Sequence, residues 1–317
     1  MESAATGFHL RDRVLVVFVL ALLSLAHGSM GARRLMELYE PDPSELLKYH
    51  NGTVLSGDIP VSILWYGRFT AAQKDIVSDF LASLSASPRI YPAPSVPQWW
   101  SSIVRLYLSK VEAVGKKGAT KTRVFLSGNF SDVGCSLGRS LTLSQIPALA
   151  ATAKPARGGV ALLLTAQDVA VEGFCMSRCG MHGPGAEAGS AYVWVGNSAA
   201  QCPAQCAWPF QQEEPPVVPP NGDLGMDGLV INLASMLAGA VTDPFGDGFY
   251  QGEREAPLEA ATACQGVYGS GAYPGNAGKL LIDKVTGASY NANGAHGRRY
   301  LLPALFDPLS SQCATLV

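Results

Sequence analysis

Two stretches of this chain, Val160–Thr165 (VALLLT) and residues 191–195 (AYVWV), run with no polar break before their last residue. A strand with one wet face alternates apolar and polar side chains. A strand buried on both faces does not need to. Runs of this length, rich in β-branched and aromatic residues, therefore call for a sheet covered on both sides. Residues 61–66 (VSILWY), bounded by Pro60 and Gly67, are a third such strand, and residues 122–126 a fourth.

Between these strands the hydrophobic period changes to that of a helix. Thr70-Ala-Ala-Gln73 has the spacing of a capping box, in which the Thr hydroxyl and the Gln amide each satisfy a free backbone N–H. Behind it Ile76, Val77, Phe80, Leu81 and Leu84 fall on one helical face. After a Pro-rich loop, Pro97 suits a first helical position, and Trp99, Trp100, Ile103, Val104 and Tyr107 form the next apolar face. Residues 141–151 are expected to form a third helix. Residues 229–241 are apolar at 229, 230, 233, 236, 237, 240 and 241, the pattern of a largely buried helix. Residues 213–220 (EEPPVVPP) are a surface polyproline stretch. Two short strands are expected at 280–283 and 288–290. Strands interleaved with helices, without an internal repeat, predict the α/β class: a single compact domain over 58–317, with a mainly parallel or mixed sheet flanked by helices. Residues 29–57 carry two prolines and no sustained period, and read as an extended N-terminal arm.

The first 28 residues read differently. Arg11 and Arg13 precede an apolar run at 14–26, and small residues follow it to an A-x-G site ending at Gly28. That is the layout of a cleaved signal peptide, 1–28, rather than of a retained anchor. Thirteen apolar residues cross a bilayer of about 30 Å poorly, so no stable membrane insertion is expected after cleavage. Secretion fits Asn51-Gly-Thr53 and Asn129-Phe-Ser131, both acceptor tripeptides for N-linked glycans at Asn51 and Asn129. It also sets limits on partners. With 23 Lys and Arg against 25 Asp and Glu, the chain lacks the basic surplus of a nucleic-acid binder. Its 48 % hydrophobic and 15 % charged residues exclude a disordered regulator.

Seven cysteines follow the leader. Cys175-x-x-x-Cys179 precedes Cys202-x-x-x-Cys206, with His182 close by. Four thiols and an imidazole are a possible tetrahedral zinc set. The x-x-x spacing, the oxidising compartment and the bulk of Phe174, Trp208 and Phe210 favour two disulfides instead. Four cysteines allow three connectivities. Bonds between the two motifs are preferred, because they would pin the loops on either side of the 191–195 strand. Cys264 and Cys313 are then the remaining pair, tying down the C-terminus, and Cys135 is left over.

Chemistry is harder to find. There is no G-x-S-x-G elbow, no P-loop, and no G-x-G-x-x-G between a strand and a helix. His182 reads as a loop histidine bonded to backbone; His50 and His296 sit in turn-like sequence without a partner at catalytic spacing. Residues 221–228 place oxygens alternately as a calcium loop would, but Gly225 and Met226 stand where such a loop needs an oxygen and a glycine. Helix capping by Asp227 is the plainer reading. Asp168 and Glu172 follow the 160–165 strand and could form a glycosidase pair only at a defined separation. Trp99, Trp100 and Trp208 could stack on sugars, although core packing is their commoner role. The face of the 229–241 helix reads Asn232-Leu-Ala-Ser-Met236-Leu-Ala-Gly239, without the His and Glu of a zinc peptidase. No catalytic, cofactor-binding or metal residue is assigned, and no cofactor is expected.

Several long segments carry a resemblance: GFCMSRCGMHG (173–183), AYVWVGNSAAQCPAQCAWPF (191–210), DGLVINLASMLAGAVTDPFGDGFYQG (227–252), APLEAATACQGVYGSGAYPG (256–275) and DKVTGASYNANGAHGRRYLLPALFDP (283–308). They resemble the plant EXORDIUM-like, or phosphate-induced, protein family over residues 49–317. Cys135 is the cysteine least typical of it. The resemblance implies a protein of the apoplast and cell wall, linked to growth and cell expansion. It implies no catalytic residue. Two expectations follow. One is a non-enzymatic regulator that binds a cell-wall polysaccharide or a receptor ectodomain. The other is an apoplastic hydrolase acting on glycans through carboxylates such as Asp168, Glu172, Asp223 and Asp227.

Overall fold

The computed structural model describes residues 46–113, 121–212 and 214–317, all within one unit, Glu45–Val317. The expected signal peptide and most of the expected arm lie outside the described residues. The end of the arm does not hang free. Leu47, Val54 and Leu55 are buried, and Lys48–Tyr49 pairs with Phe249–Tyr250.

In chain order the main elements are β1 (Asp58–Tyr66), α1 (Ala71–Leu84), α2 (Val96–Ile103), β2 (Arg123–Asp132), α3 (Gln145–Ala151), β3 (Val160–Thr165), β4 (Gly180–Pro184), β5 (Ala191–Gly196) and α4 (Leu224–Thr242). Five strands form one mixed sheet in the order β2-β1-β3-β5-β4. Its first four members are parallel, and β4 lies antiparallel on the edge. Helices cover both faces, as the unbroken runs demand. On one side Ile63 and Trp65 of β1, Leu162 and Leu164 of β3, and Val193 and Val195 of β5 pack with α1, α2 and α4. Alternate residues Leu64, Tyr66, Leu163 and Trp194 point to the other side, against α3 and the cysteine loops. Each such side chain, fully buried, contributes about 1.5–3 kcal/mol of transfer free energy.

Local signals place the helices. Thr70 Oγ1 accepts from Gln73 N–H at 3.2 Å, and Gln73 Oε1 from Thr70 N–H at 3.0 Å, completing the capping box. Asp223, not Asp227, caps α4: its carboxylate accepts from Met226 N–H at 3.0 Å. This corrects the expected role of Asp227, which lies one turn further on. α4 starts five residues earlier than its apolar period indicates, because Gly225, Asp227 and Gly228 dilute that period while still being buried. Its length and composition would suit a membrane span, yet 78 % of its most apolar window is buried inside the protein. It is a core helix.

The remaining differences lie in marginal segments. β2 extends to Asp132 along the sheet's outer edge and leaves Phe125, Leu126 and Phe130 exposed. The expected third helix shrinks to α3 because Ser140–Leu141 pairs with Ala170–Val171. β4 occupies part of the expected cysteine loop.

Disulfides join Cys175 to Cys202, Cys179 to Cys206, and Cys264 to Cys313. The first two hold the entry to β4 against the turn that follows β5. Each closes a loop whose restriction stabilises the fold by about 2–4 kcal/mol. Cys135 is buried and unbonded.

Candidate functional site

Helix α4 carries a polar cluster at each end, and only one of them opens to solvent. At its C-terminal half, Gly239 faces the side chains of His182 and Glu259; a Cβ there would lie 2.5 Å from His182 Nε2 and 2.2 Å from a Glu259 oxygen. Glycine is therefore required by space. His182 Nε2–H donates to both Glu259 carboxylate oxygens, at 2.9 and 2.8 Å. The two side chains are only 10 % and 6 % exposed. Burial pulls the imidazole pKa down, but the Glu259 carboxylate outweighs it and the net shift is upward. Burial likewise raises the Asp243 carboxyl, with Glu259 adding to the effect. His182 thus sits on an edge strand and pairs with a carboxylate, which corrects its expected place in a loop bonded to backbone. Its Nδ1 is buried and has no partner among the described residues.

At the N-terminal end of α4 lies a cleft of about 630 Å³. Three distant segments wall it: the end of the polyproline stretch (218–222), the turn at 283–288, and residues 296–299. Asp283 shapes the turn, accepting from the Val285 and Thr286 N–H groups at 2.7 and 3.2 Å. Ser289 ties that turn to the polyproline segment through mutual bonds with Val218. His296 holds the third segment in a left-handed conformation, φ 53°, which costs a non-glycine residue roughly 1 kcal/mol or more. Its Nδ1–H donates to Asp79 Oδ1 at 2.7 Å, anchoring the turn to α1.

A relay of polar groups runs behind the cleft. Asp227, 3 % exposed, accepts from Asn221 N–H at 2.8 Å and from Asn221 Nδ2–H at 2.6 Å. Asn221 Oδ1 in turn accepts from Arg298 Nη1–H at 3.3 Å, and Arg298 Nε–H donates to Asp79 at 2.5 Å. Arg299 is paired with Asp283, its guanidinium 4.8 Å from the centre of the Tyr290 ring. Burial pushes the Asp227 carboxyl up to about 7, against the opposing pull of the Asn221 donors. Two guanidinium groups are thus held by their first few donors. Arg298 Nη2 and the remaining Arg299 N–H groups have no protein partner among the described residues.

The other residues named from sequence are scattered. Asp168 pairs with Arg139, and Glu172 accepts from Leu143 N–H at 3.0 Å. Asp223 accepts from Gln73 Nε2–H at 2.9 Å besides capping α4. None of Asp168, Glu172, Asp223 and Asp227 lines the cleft. Trp99 and Trp100 are buried, donating to the Pro303 and Thr122 carbonyls; Trp208 packs beside Tyr268. His50 stacks on Tyr250. Asn129 is exposed on β2, its Oδ1 accepting from Trp65 Nε1–H at 2.7 Å; Asn51 is exposed in a bend. Sequence reasoning missed the cleft. Its one local sign was the doubled Arg298-Arg299 in a glycine-rich stretch.

Comparison with known proteins adds to this geometry. Residues 47–316 match the phosphate-induced protein 1 conserved region. Protein EXORDIUM of Arabidopsis thaliana is 50 % identical over 317 aligned residues, covering 96 % of this chain and 99 % of the relative. Protein PHOSPHATE-INDUCED 1 of Nicotiana tabacum is 49 % identical, covering 95 % and 98 %. Protein EXORDIUM-like 6 of Arabidopsis thaliana is 30 % identical, covering 82 % and 89 %. No solved structure matches.

Proposed function

The chain belongs to the phosphate-induced protein 1 family, and from that premise we propose that it is a secreted protein of the plant apoplast and cell wall which regulates cell expansion by binding a wall component or a receptor ectodomain. The export half of this reading is supported by three disulfides, the usual state of thiols outside the cytosol. Asn51 and Asn129 are exposed, as glycan acceptors must be. The binding half is carried by one observation: a concave site whose two arginines keep unused donors. The hydrolase reading gains no support, since its four carboxylates are engaged in caps, ion pairs and backbone bonds.

The test is retention. Secreted, glycosylated protein is passed over fractionated wall polysaccharides and over a library of receptor ectodomains, beside an Arg299→Gln variant. Saturable retention of the parent, weakened in the variant, is the expected result. If no fraction and no ectodomain holds the parent, the binding role fails. A non-reducing peptide map of the same material checks the oxidised state.

A further inference from the structure

The cleft has a charge pattern that narrows its ligand. It presents Arg298 and Arg299 at its wall, with His296 beside them. Against these stand Asp283, which lines the cleft, and Asp79 behind it. These two carboxylates formally balance the two guanidinium groups, so the cleft holds no surplus positive charge and offers an anion directed N–H groups instead. It suits a singly charged anion better than a doubly charged phosphate. Each guanidinium is half committed to a fixed carboxylate, so its plane is set before a ligand arrives. A preorganised guanidinium edge with free N–H groups matches the two oxygens of a planar carboxylate.

The rest of the lining is that of a sugar site. Pro219 and Pro220 offer flat apolar surface for C–H faces, and Thr286 and the exposed backbone of the turn offer hydrogen-bonding groups for hydroxyls. Tyr290 lies under the Arg299 guanidinium, limiting its movement. The volume falls within the roughly 300–1,000 Å³ of small-molecule sites. The cleft is open at its rim, which leaves room for the ends of a longer chain to run past it.

We propose that this cleft binds a carboxylate-bearing oligosaccharide, a polymer of uronic acid units, with Arg298 and Arg299 on a sugar carboxylate and Asn221 as the group that positions Arg298. The proposal rests on the wall-binding reading above and names its ligand class.

Titration calorimetry on the full secreted protein tests it, with a short oligogalacturonate as probe. Three comparison ligands accompany it: the same oligomer as its methyl ester, a neutral cello-oligosaccharide, and polyglutamate. The acid form is expected to bind at least about tenfold tighter than its ester, the loss of one charge-assisted hydrogen bond or more. Arg299→Gln and Arg298→Lys are expected to remove that preference. Arg123→Gln, a surface arginine far along the sequence on β2, is expected to keep it, excluding bulk charge as the cause. Circular dichroism confirms that each variant is folded; if Arg298→Lys is not, Arg299→Gln alone decides. Equal binding of acid and ester overturns the carboxylate assignment and leaves the wall-binding reading standing. Equal binding of polyglutamate overturns the saccharide part. Absence of binding by all four ligands, together with retention by another wall fraction or an ectodomain, overturns the proposal alone. Absence of all retention overturns both.

Discussion

The two ends of α4 solve the same problem in opposite ways. Each must accommodate a carboxylate next to a buried helix. At the C-terminal end Glu259 and His182 neutralise one another and exclude water. At the N-terminal end Asp227 is held, among the described residues, by the neutral Asn221, while nearby Arg298 and Arg299 stay partly exposed above the more deeply set Asp79 and Asp283. The closed pair has no donor left to offer a ligand through Nε2. The open cluster keeps several. A fully buried pair is expensive to disturb and poor at recognition; a pair whose cation reaches solvent costs less to disturb and can still bind.

The largest effect expected from this contrast is at the closed end. Glu259→Ala leaves a buried imidazole unpartnered and should lower stability by about 3–5 kcal/mol in urea unfolding. Should it cost no more than Arg299→Gln, the distinction between the ends is wrong. The next effect is a pH dependence. Asp227 has a folded pKa above its ordinary carboxyl value, so the folded state takes up the proton more readily than the unfolded one. Its stabilising contribution is complete below about pH 4 and is lost as the pH rises through about 7. The raised imidazole of His182 acts in the same direction: its contribution is present below the unfolded pKa and lost as pH rises through the folded one. Unfolding free energy should therefore fall by roughly 2–4 kcal/mol between pH 4 and 8. Asp227→Asn should flatten that slope, and an unchanged slope would remove Asp227 as its source.

Smaller effects sharpen the picture. Gly239→Ala pushes a methyl group into the His182–Glu259 pair and should cost about 1–3 kcal/mol, read as a lowered thermal midpoint. An unchanged midpoint would mean that the pair has room to give. At the bottom of the scale stands Arg123, which forms a two-pronged bond to Asp58 at the rim of the sheet with both side chains more than half exposed. Arg123→Ala should change stability by no more than about 0.5 kcal/mol. A larger loss would show that surface pairs matter here as much as buried ones.

Much of the architecture was legible because burial leaves a periodic trace. Val160–Thr165 and β5 carry unbroken apolar runs since helices sit on both faces, and the Thr70–Gln73 box announces α1 at its first residue. β4 was not legible. Gly180-Met-His-Gly-Pro184 has no strand period, and pairing with β5 overrides its weak propensity. The role of Asp227 was misread because an acid near a helix start looks like a cap whichever turn it occupies. Asp223, four residues earlier, had the better geometry.

What the chain determined by itself is local: which strands lie inside, where α1 begins, that α4 is a core helix, and which cysteines stand near one another. The cleft and the sealed pair were decided only in three dimensions. Asp79 meets Arg298 across 219 residues, and His182 meets Glu259 across 77. Burial is a property each residue's own neighbours in sequence can encode. A partner is set by how the sheet, α4 and the C-terminal turns come to rest against one another, and no period in the sequence records that.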